Sequence, residues 1–322
     1  MTHCRRITLT LLLVTALFLL PLLRLAFADD WLSAEQVAPP DAMYGLEEFA
    51  ITENLPNEWL NVLLLGSDVR FTSDYGDTDS ITLLSINLAT KQAKLTSFVR
   101  DMRMSMNGRT VVDRLGAACR LGGPELAMRT INERFGLNIQ YFALVNMSAM
   151  AEIIDLLGGL DMNITNEERD ALNRGLFDLS SMSDMKRLEQ YGENVHLNGN
   201  QAVAYARIRN IDSELRRTQR QRDTLICIAR RLQQESSDTL VGVVMKLLEN
   251  VETNMDLTQL MTIAAAGLQV NLDAVEQFRI PVDKTFDPSA LDGQSTIHPD
   301  YSINRKLLQQ FIYGAPEPQT GN

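Results

Sequence analysis

Three observations predict an α/β protein whose functional groups sit at strand ends. Leu60-Asn-Val-Leu-Leu-Leu65, closed by Gly66, is a short apolar run of the kind that forms a fully buried strand. Ser80 to Asn87 and Gln92 to Val99 read as two further strands, with Leu88-Ala-Thr-Lys91 turning between them as a hairpin. Beyond them, helical patterns punctuated by Gly and Pro take over.

Ahead of the first strand, Arg5 and Arg6 precede the apolar run Ile7 to Leu23, interrupted only by Pro21, and Arg24 and Leu25-Ala-Phe-Ala-Asp-Asp30 follow. This is an export signal at the short limit of a membrane span, and Ala26-Phe27-Ala28 also fits a cleavage site. Arg24 interrupts the approach to that site and positive charge precedes the run, which favours an uncleaved anchor over 1–28 with the rest of the chain outside. Secretion after cleavage near Ala28 is the other reading. Residues 29–57, rich in Pro, Glu and Ala, read as a linker, 58–314 as the folded domain and 315–322 as a disordered tail.

Asp68 and Arg70 come directly after the first strand, where ligands of open α/β sheets gather. In the hairpin, a turn centred between Ala89 and Thr90 puts Asp79 opposite Arg100, so a carboxylate entering one strand meets an arginine leaving the next. The plain alternative for that pair is an edge ion pair of little energetic weight. Gly122-Gly-Pro-Glu125 opens a helix that runs to Arg134 and stops at Gly136; a second runs from Met147 to Leu157 and stops at Gly158-Gly159. These glycines read as caps and turns. The segment Asn166 to Tyr191 reads as a variable helical insertion, with Met182 and Met185 as packing. Helical patterns recur from Asp238 to Val270, a strand is expected at Gln277 to Val282 and a last helix at Ile303 to Tyr313.

The richest stretch runs from Arg207 to Arg222, where six of sixteen residues are arginine and none is lysine, in a chain of net charge -11. The guanidinium fork matches carboxylate or phosphate oxygens two at a time, so the tract points to a multiply anionic ligand. From Gln201 to Arg209 the larger side chains Val203, Tyr205, Arg207 and Arg209 alternate, which predicts a strand with the two arginines roughly 6.5 to 7 Å apart on one face. Past Asp212 and Ser213, both N-cap residue types, Arg217, Arg220, Gln221 and Thr224 recur at helical spacing. A solvated cationic surface is the bland alternative to an anion site.

Composition excludes some classes. At 322 residues and 45% hydrophobic the chain buries a sizeable core, and its acidic balance with no nucleic-acid-reading motif argues against nucleic acid as a partner. Cys119 and Cys227 could form at most one disulfide, have no metal-ligand spacing and read as two buried free thiols, and His3, His196 and His298 are isolated, so a catalytic base falls to a carboxylate.

Seven strings in order carry a resemblance: Leu63-Leu-Leu-Gly-Ser-Asp-Val-Arg70, Asp77-Thr-Asp-Ser80, Phe98-Val-Arg-Asp101, Gly122-Gly-Pro-Glu125, Leu156-Leu-Gly-Gly-Leu-Asp161, Leu197-Asn-Gly-Asn-Gln-Ala-Val-Ala-Tyr-Ala-Arg-Ile-Arg209 and Arg217-Thr-Gln-Arg-Gln221. Together they resemble the LytR-CpsA-Psr cell-wall glycopolymer transferases, densely over 59–232. The resemblance implies a three-layer α/β/α domain with a central mixed sheet behind a membrane anchor, exposed outside the cytoplasmic membrane. It implies transfer of a polyprenyl-pyrophosphate-linked glycopolymer, such as a teichoic acid or a capsular polysaccharide, onto a peptidoglycan sugar hydroxyl with Mg²⁺. By the same resemblance Asp68 and Asp79 hold Mg²⁺ or, in one of the two cases, act as base. Arg100, Arg207 and Arg209 clamp the pyrophosphate, with Arg114, Arg217, Arg220 and Gln221 in support.

The chain departs from the family pattern at three positions. Asp77 stands where an arginine is usual, and it either adds a metal ligand or weakens pyrophosphate binding and alters the donor preference; Arg114 replaces a usual lysine and Gly116 a usual asparagine. Two other classes stay open on residues alone: a pyrophosphate hydrolase with the same cradle, and a non-catalytic protein that binds lipid phosphates or anionic glycans.

Overall fold

The computed structural model describes residues 49–53, 55–67, 75–106, 112–178, 186–209, 211–287 and 296–314. In chain order the strands are β1 (Trp59–Ser67), β2 (Thr78–Asn87), β3 (Ala93–Phe98), β4 (Arg103–Ser105), β5 (Val112–Arg114), β6 (Tyr141–Asn146), β7 (Leu160–Ile164), β8 (Gly192–Leu197), β9 (Val251–Thr253) and β10 (Glu276–Ile280). The helices are α1 (Ala118–Phe135), α2 (Met147–Leu156), α3 (Asn166–Asp178), α4 (Gly199–Ala206), α5 (Glu214–Gln234), α6 (Ser237–Asn250), α7 (Leu257–Gln269) and α8 (Tyr301–Tyr313).

Six strands form a mixed sheet in the order β10-β3-β2-β1-β6-β9. β1 lies antiparallel to β2 and parallel to β6, so Ser67 and Asn146 end side by side. Helices cover both faces, which is why β1 reads as an almost unbroken apolar run. On one face Leu63, Leu83, Phe98 and Phe142 pack against Ile131 and Phe135 of α1 and Leu308 of α8. On the other, Ala266 of α7 packs on Ile86 and Ala93, and Arg222 of α5 donates to Ser97 Oγ at 2.8 Å. A second apolar cluster joins α2, α3 and α4 to the β7–β8 ribbon through Ile154, Leu172, Val203 and Leu197.

The hairpin register is the expected one. Ile86 pairs with Ala93 and Thr82 with Ser97, a frame that carries on to put Asp79 across from Arg100. In α1 the chain leaves helical geometry at Gly122 and Gly123, where φ is 76° at Gly123, and resumes at Pro124; Gly136, at φ 62°, ends it. Gly158 and Gly159 stop α2 with φ 75° and 89°, conformations that a side chain strongly disfavours. The last predicted strand and helix appear as β10 and α8.

One prediction fails where it matters. Gln201 to Arg209 is not a strand: residues up to Ala206 form α4, with Arg207 as its C-cap. Gln201 N donates to Asn198 Oδ1 and Asn198 N to Gln201 Oε1, each at 2.9 Å, a reciprocal cap that starts the helix. Ala202, Ala204 and Ala206 favour helix, and every residue from Gly199 to Tyr205 is buried, so no amphipathic period exists to separate helix from strand. The short strands β4 to β9 were not anticipated; β9 interrupts the helical stretch between Asp238 and Val270. The packed fold also reaches back to Phe49, inside the segment read as linker, where it is 2% exposed and its carbonyl accepts from Asn132 Nδ2 at 2.9 Å.

Cys119 is buried, Cys227 is half-buried, and both are free thiols. Among the described residues no helix is long and apolar enough to cross a membrane. The apolar run Ile7 to Leu23, Asp68, Arg70, Met182, Met185 and the tail from 315 lie outside the described residues.

Candidate functional site

Asp79, at the start of β2, is the hub. Its side chain is 13% exposed, and Arg100 Nη1 donates to its Oδ1 from across the hairpin. Arg209 Nη2 donates to the same oxygen at 3.0 Å, and Arg207 Nη2 stands 3.7 Å from Oδ2. Arg207 comes from the end of α4 and Arg209 from the turn after it. The two arginines thus reach one carboxylate although no strand carries them. Burial works against the charge of Asp79, but Arg100, Arg209, Arg217 and Arg207 outweigh it and hold the carboxyl below its ordinary value.

The helical face of α5 divides. Arg217 is 1% exposed, and its Nη2 pairs with Glu214 at 2.5 Å. Its Nε and Nη1 are buried without a hydrogen-bond partner among the described residues. Burial, with Arg100 and Arg209 nearby, pulls the Arg217 guanidinium down to about 10. Gln221 Nε2 donates to the backbone carbonyl of Asp79 at 3.3 Å. Arg220 turns away to Glu168 at 3.0 Å, to Asp212, and to the Ile208 carbonyl at 3.2 Å. It therefore braces the turn that carries Arg209, while Arg217 and Gln221 stay beside Asp79.

A second cluster surrounds Asp77. Arg120 Nε donates to Asp77 Oδ1 at 2.7 Å, and Arg114 Nη2 lies 3.8 Å from Asp77 Oδ2. Arg114 Nη1 also lies 3.5 Å from Asp101, and Arg120 Nη2 lies 3.6 Å from Asp113. Arg120 is the site residue that the sequence did not reveal. It precedes the break at Gly122 and Gly123 and shares no periodicity with another arginine. Gly116 has a packing reason: a Cβ there would stand 3.0 Å from the Thr78 carbonyl and 3.1 Å from Arg100 Cβ. Its N–H donates to the Arg100 carbonyl at 2.8 Å, so the missing side chain lets the backbone hold Arg100 in place.

A cavity of about 110 Å³ opens beside Asp79, between the sheet end and the helices. Asp79, Arg207 and Gln221 form its polar edge, and Met150, Val203, Leu225 and Ile228 are among its apolar walls. Arg207 Nη1 also touches Met147 Sδ at 2.8 Å, so its guanidinium bridges the charged and apolar parts. An anionic head joined to an apolar tail matches this juxtaposition.

For a metal, the described residues contain no group of three or more His, Cys, Asp or Glu side chains. Asp79 offers a hard oxygen in Oδ2, whose guanidinium neighbour at 3.7 Å is beyond hydrogen-bond reach. One carboxylate together with ligand phosphates is a donor set that magnesium accepts.

The LytR_cpsA_psr family model matches residues 35–311. A polyisoprenyl-teichoic acid–peptidoglycan teichoic acid transferase TagU from Oceanobacillus iheyensis is 31% identical over 228 residues, 67% of this chain and 66% of that protein. The TagU of Bacillus cereus is 28% identical over 246 residues, 74% of this chain and 73% of that one. This chain thus spans about two thirds to three quarters of the length of these relatives. In fold it is similar to B. subtilis TagV, with TM-score 0.63 and 23% identity over 81% of this chain and all of that one. TagT bound to LI-WTA gives TM-score 0.61 and 22% identity over 80% and 92% of the two chains.

Proposed function

Because the chain belongs to the LytR-CpsA-Psr family, we propose that it transfers a polyprenyl-pyrophosphate-linked glycopolymer, of the teichoic acid or wall polysaccharide class, onto a peptidoglycan sugar hydroxyl. One observation carries the reading: Arg100, from the end of β3, and Arg207 and Arg209, from the end of α4 and the turn after it, converge on one half-buried carboxylate at the polar edge of an apolar cavity. The lipid would enter the cavity, and the pyrophosphate would meet Arg100, Arg207 and Arg209. The relatives' names support the substrate class.

In the reaction the acceptor oxygen forms a bond to the glycan-linked phosphorus, the bridging P–O bond breaks, and polyprenyl phosphate leaves. Phosphoryl transfer of this kind is accelerated mainly by holding oxygens in place and neutralising their charge. The arginines are already assembled around Asp79, so phosphate oxygens replace a carboxylate as their partner with little reorganisation. Arg217 adds positive charge at the back of the cluster, and Gln221 fixes the Asp79 backbone. Asp79, whose Oδ2 is beyond hydrogen-bond reach of its guanidinium neighbour, is a residue that would hold Mg²⁺, and Asp68 is proposed as the second metal-or-base carboxylate. Bound Mg²⁺ would supply further neutralisation of the phosphates. We place the domain outside the cytoplasmic membrane, held there by residues 1–28, on the strength of Arg5, Arg6 and the apolar run that follows.

The deciding experiment is turnover of a synthetic polyprenyl-pyrophosphate sugar by the full chain in detergent, with and without Mg²⁺ and a peptidoglycan acceptor. Metal-dependent attachment to the acceptor is expected. Release of lipid phosphate with water as the only acceptor would make it a hydrolase, and tight donor binding without turnover would make it a binding protein.

A further inference from the structure

Resting on that reading, we propose that Met147 is a positioning residue for the transfer: its thioether holds the Arg207 guanidinium open for the pyrophosphate and keeps it from closing on Asp79. Of the three arginines around that carboxylate, Arg100 and Arg209 donate to Asp79 Oδ1, whereas Arg207 Nη2 stands 3.7 Å from Oδ2, beyond hydrogen-bond reach. Arg207 turns a donor elsewhere, its Nη1 reaching Met147 Sδ at 2.8 Å. Met147 and Arg207 both line the cavity beside Asp79, where a pyrophosphate and its first lipid carbons would arrive.

The backbone builds this meeting. Met147 is the first residue of α2, whose start is capped by Asn146 Oδ1 accepting from Ala149 N at 2.8 Å, and Arg207 is the C-cap of α4. Further along, the two helices are pressed together: a Cβ on Gly199 would stand 2.0 Å from the Ala151 carbonyl oxygen, and Gly199 N donates to Asp155 Oδ1 at 2.7 Å. Sulfur and guanidinium are thus carried by helices locked to one another. A thioether is a neutral and weak acceptor. It can hold a guanidinium while the site is empty, yet it gives way to phosphate oxygens, whose charge-assisted bonds are stronger. An aliphatic side chain at 147 would leave Nη1 without that partner, and the guanidinium would settle onto Asp79 Oδ2 as a close ion pair. The incoming pyrophosphate would then have to break that pair before Arg207 could receive it.

The test measures farnesyl pyrophosphate binding by the full chain in detergent, together with KM and kcat for a synthetic polyprenyl-pyrophosphate sugar. Met147→Leu, which keeps the bulk and removes the acceptor, should melt at the native temperature and weaken farnesyl pyrophosphate binding by roughly three- to tenfold. KM should rise by the same factor with kcat unchanged, because Arg207 lies on phosphate in the bound state either way. Met147→Gln, with an acceptor at similar reach, should bind close to native. A side chain needed only for packing gives the opposite order, Leu tolerated and Gln not, and that order would overturn the proposal. In an Arg207→Ala background, Met147→Leu should change binding no further; an undiminished loss there would overturn it as well. Failure of native protein to bind farnesyl pyrophosphate would instead overturn the transferase reading on which the proposal rests.

Discussion

The clusters around Asp79 and Asp77 are made of the same two residue types, yet they stand in different physical regimes. Asp79 is 13% exposed and Arg217 behind it 1%, whereas Asp77, Arg114 and Arg120 are 39%, 45% and 47% exposed. Burial raises both the attraction between charges and the penalty for leaving one unpaired, while water and salt screen the exposed pairs toward small net values. A count of ion pairs would rank the two clusters alike. Burial says that the inner one, through Arg217 above all, carries more energetic weight than the outer one.

The largest break in that contrast should come from Glu214→Ala. It leaves the Arg217 guanidinium buried without its counter-charge, and urea unfolding should show a loss of about 3 to 5 kcal/mol. Arg209→Ala should leave folding nearly intact but weaken farnesyl pyrophosphate binding by about 1.5 to 3 kcal/mol in titration calorimetry. Smaller still is a pH effect. The Asp79 carboxyl sits below its ordinary 3.8, so its stabilising contribution is fully present above that value and is lost as pH falls through the lower folded-state value. The stability difference between native protein and Asp79→Asn should therefore be flat from neutral pH down to about 5 and shrink only in strong acid. Least affected should be Arg120→Ala, with a change of about 1 kcal/mol or less that salt abolishes in thermal unfolding. A large, salt-resistant loss there would erase the distinction between the clusters.

What was legible in the sequence follows the same division. The meeting of Asp79 and Arg100 was readable because a hairpin turn fixes strand register residue by residue. The closeness of Arg217 and Gln221 was readable because helix geometry fixes faces. Arg220 lies on that face too, but Asp212 and Glu168 draw its long side chain away, and spacing does not encode that competition. The alternation of Val203, Tyr205, Arg207 and Arg209 misled because α4 is buried all round, and the informative signal was the cap pair Asn198 and Gln201. β6 escaped notice as a short apolar run between two helices. The outer cluster was invisible for a different reason: the chain reversal through β4 and β5 and the break at Gly122 and Gly123 bring Arg114 and Arg120 to Asp77 from far along the sequence.

The course of β1 has a mechanical consequence. Thr52 N donates to the Leu137 carbonyl, and from there the chain passes up β1 and reaches the chemical end of the sheet at Ser67. Tension arriving from the N-terminal side would load β1 along its length, where backbone hydrogen bonds to β2 on one side and β6 on the other resist it together as a ladder in shear. The strand would work as a strain relief, so that a pull along it is absorbed before it can shift the arginines.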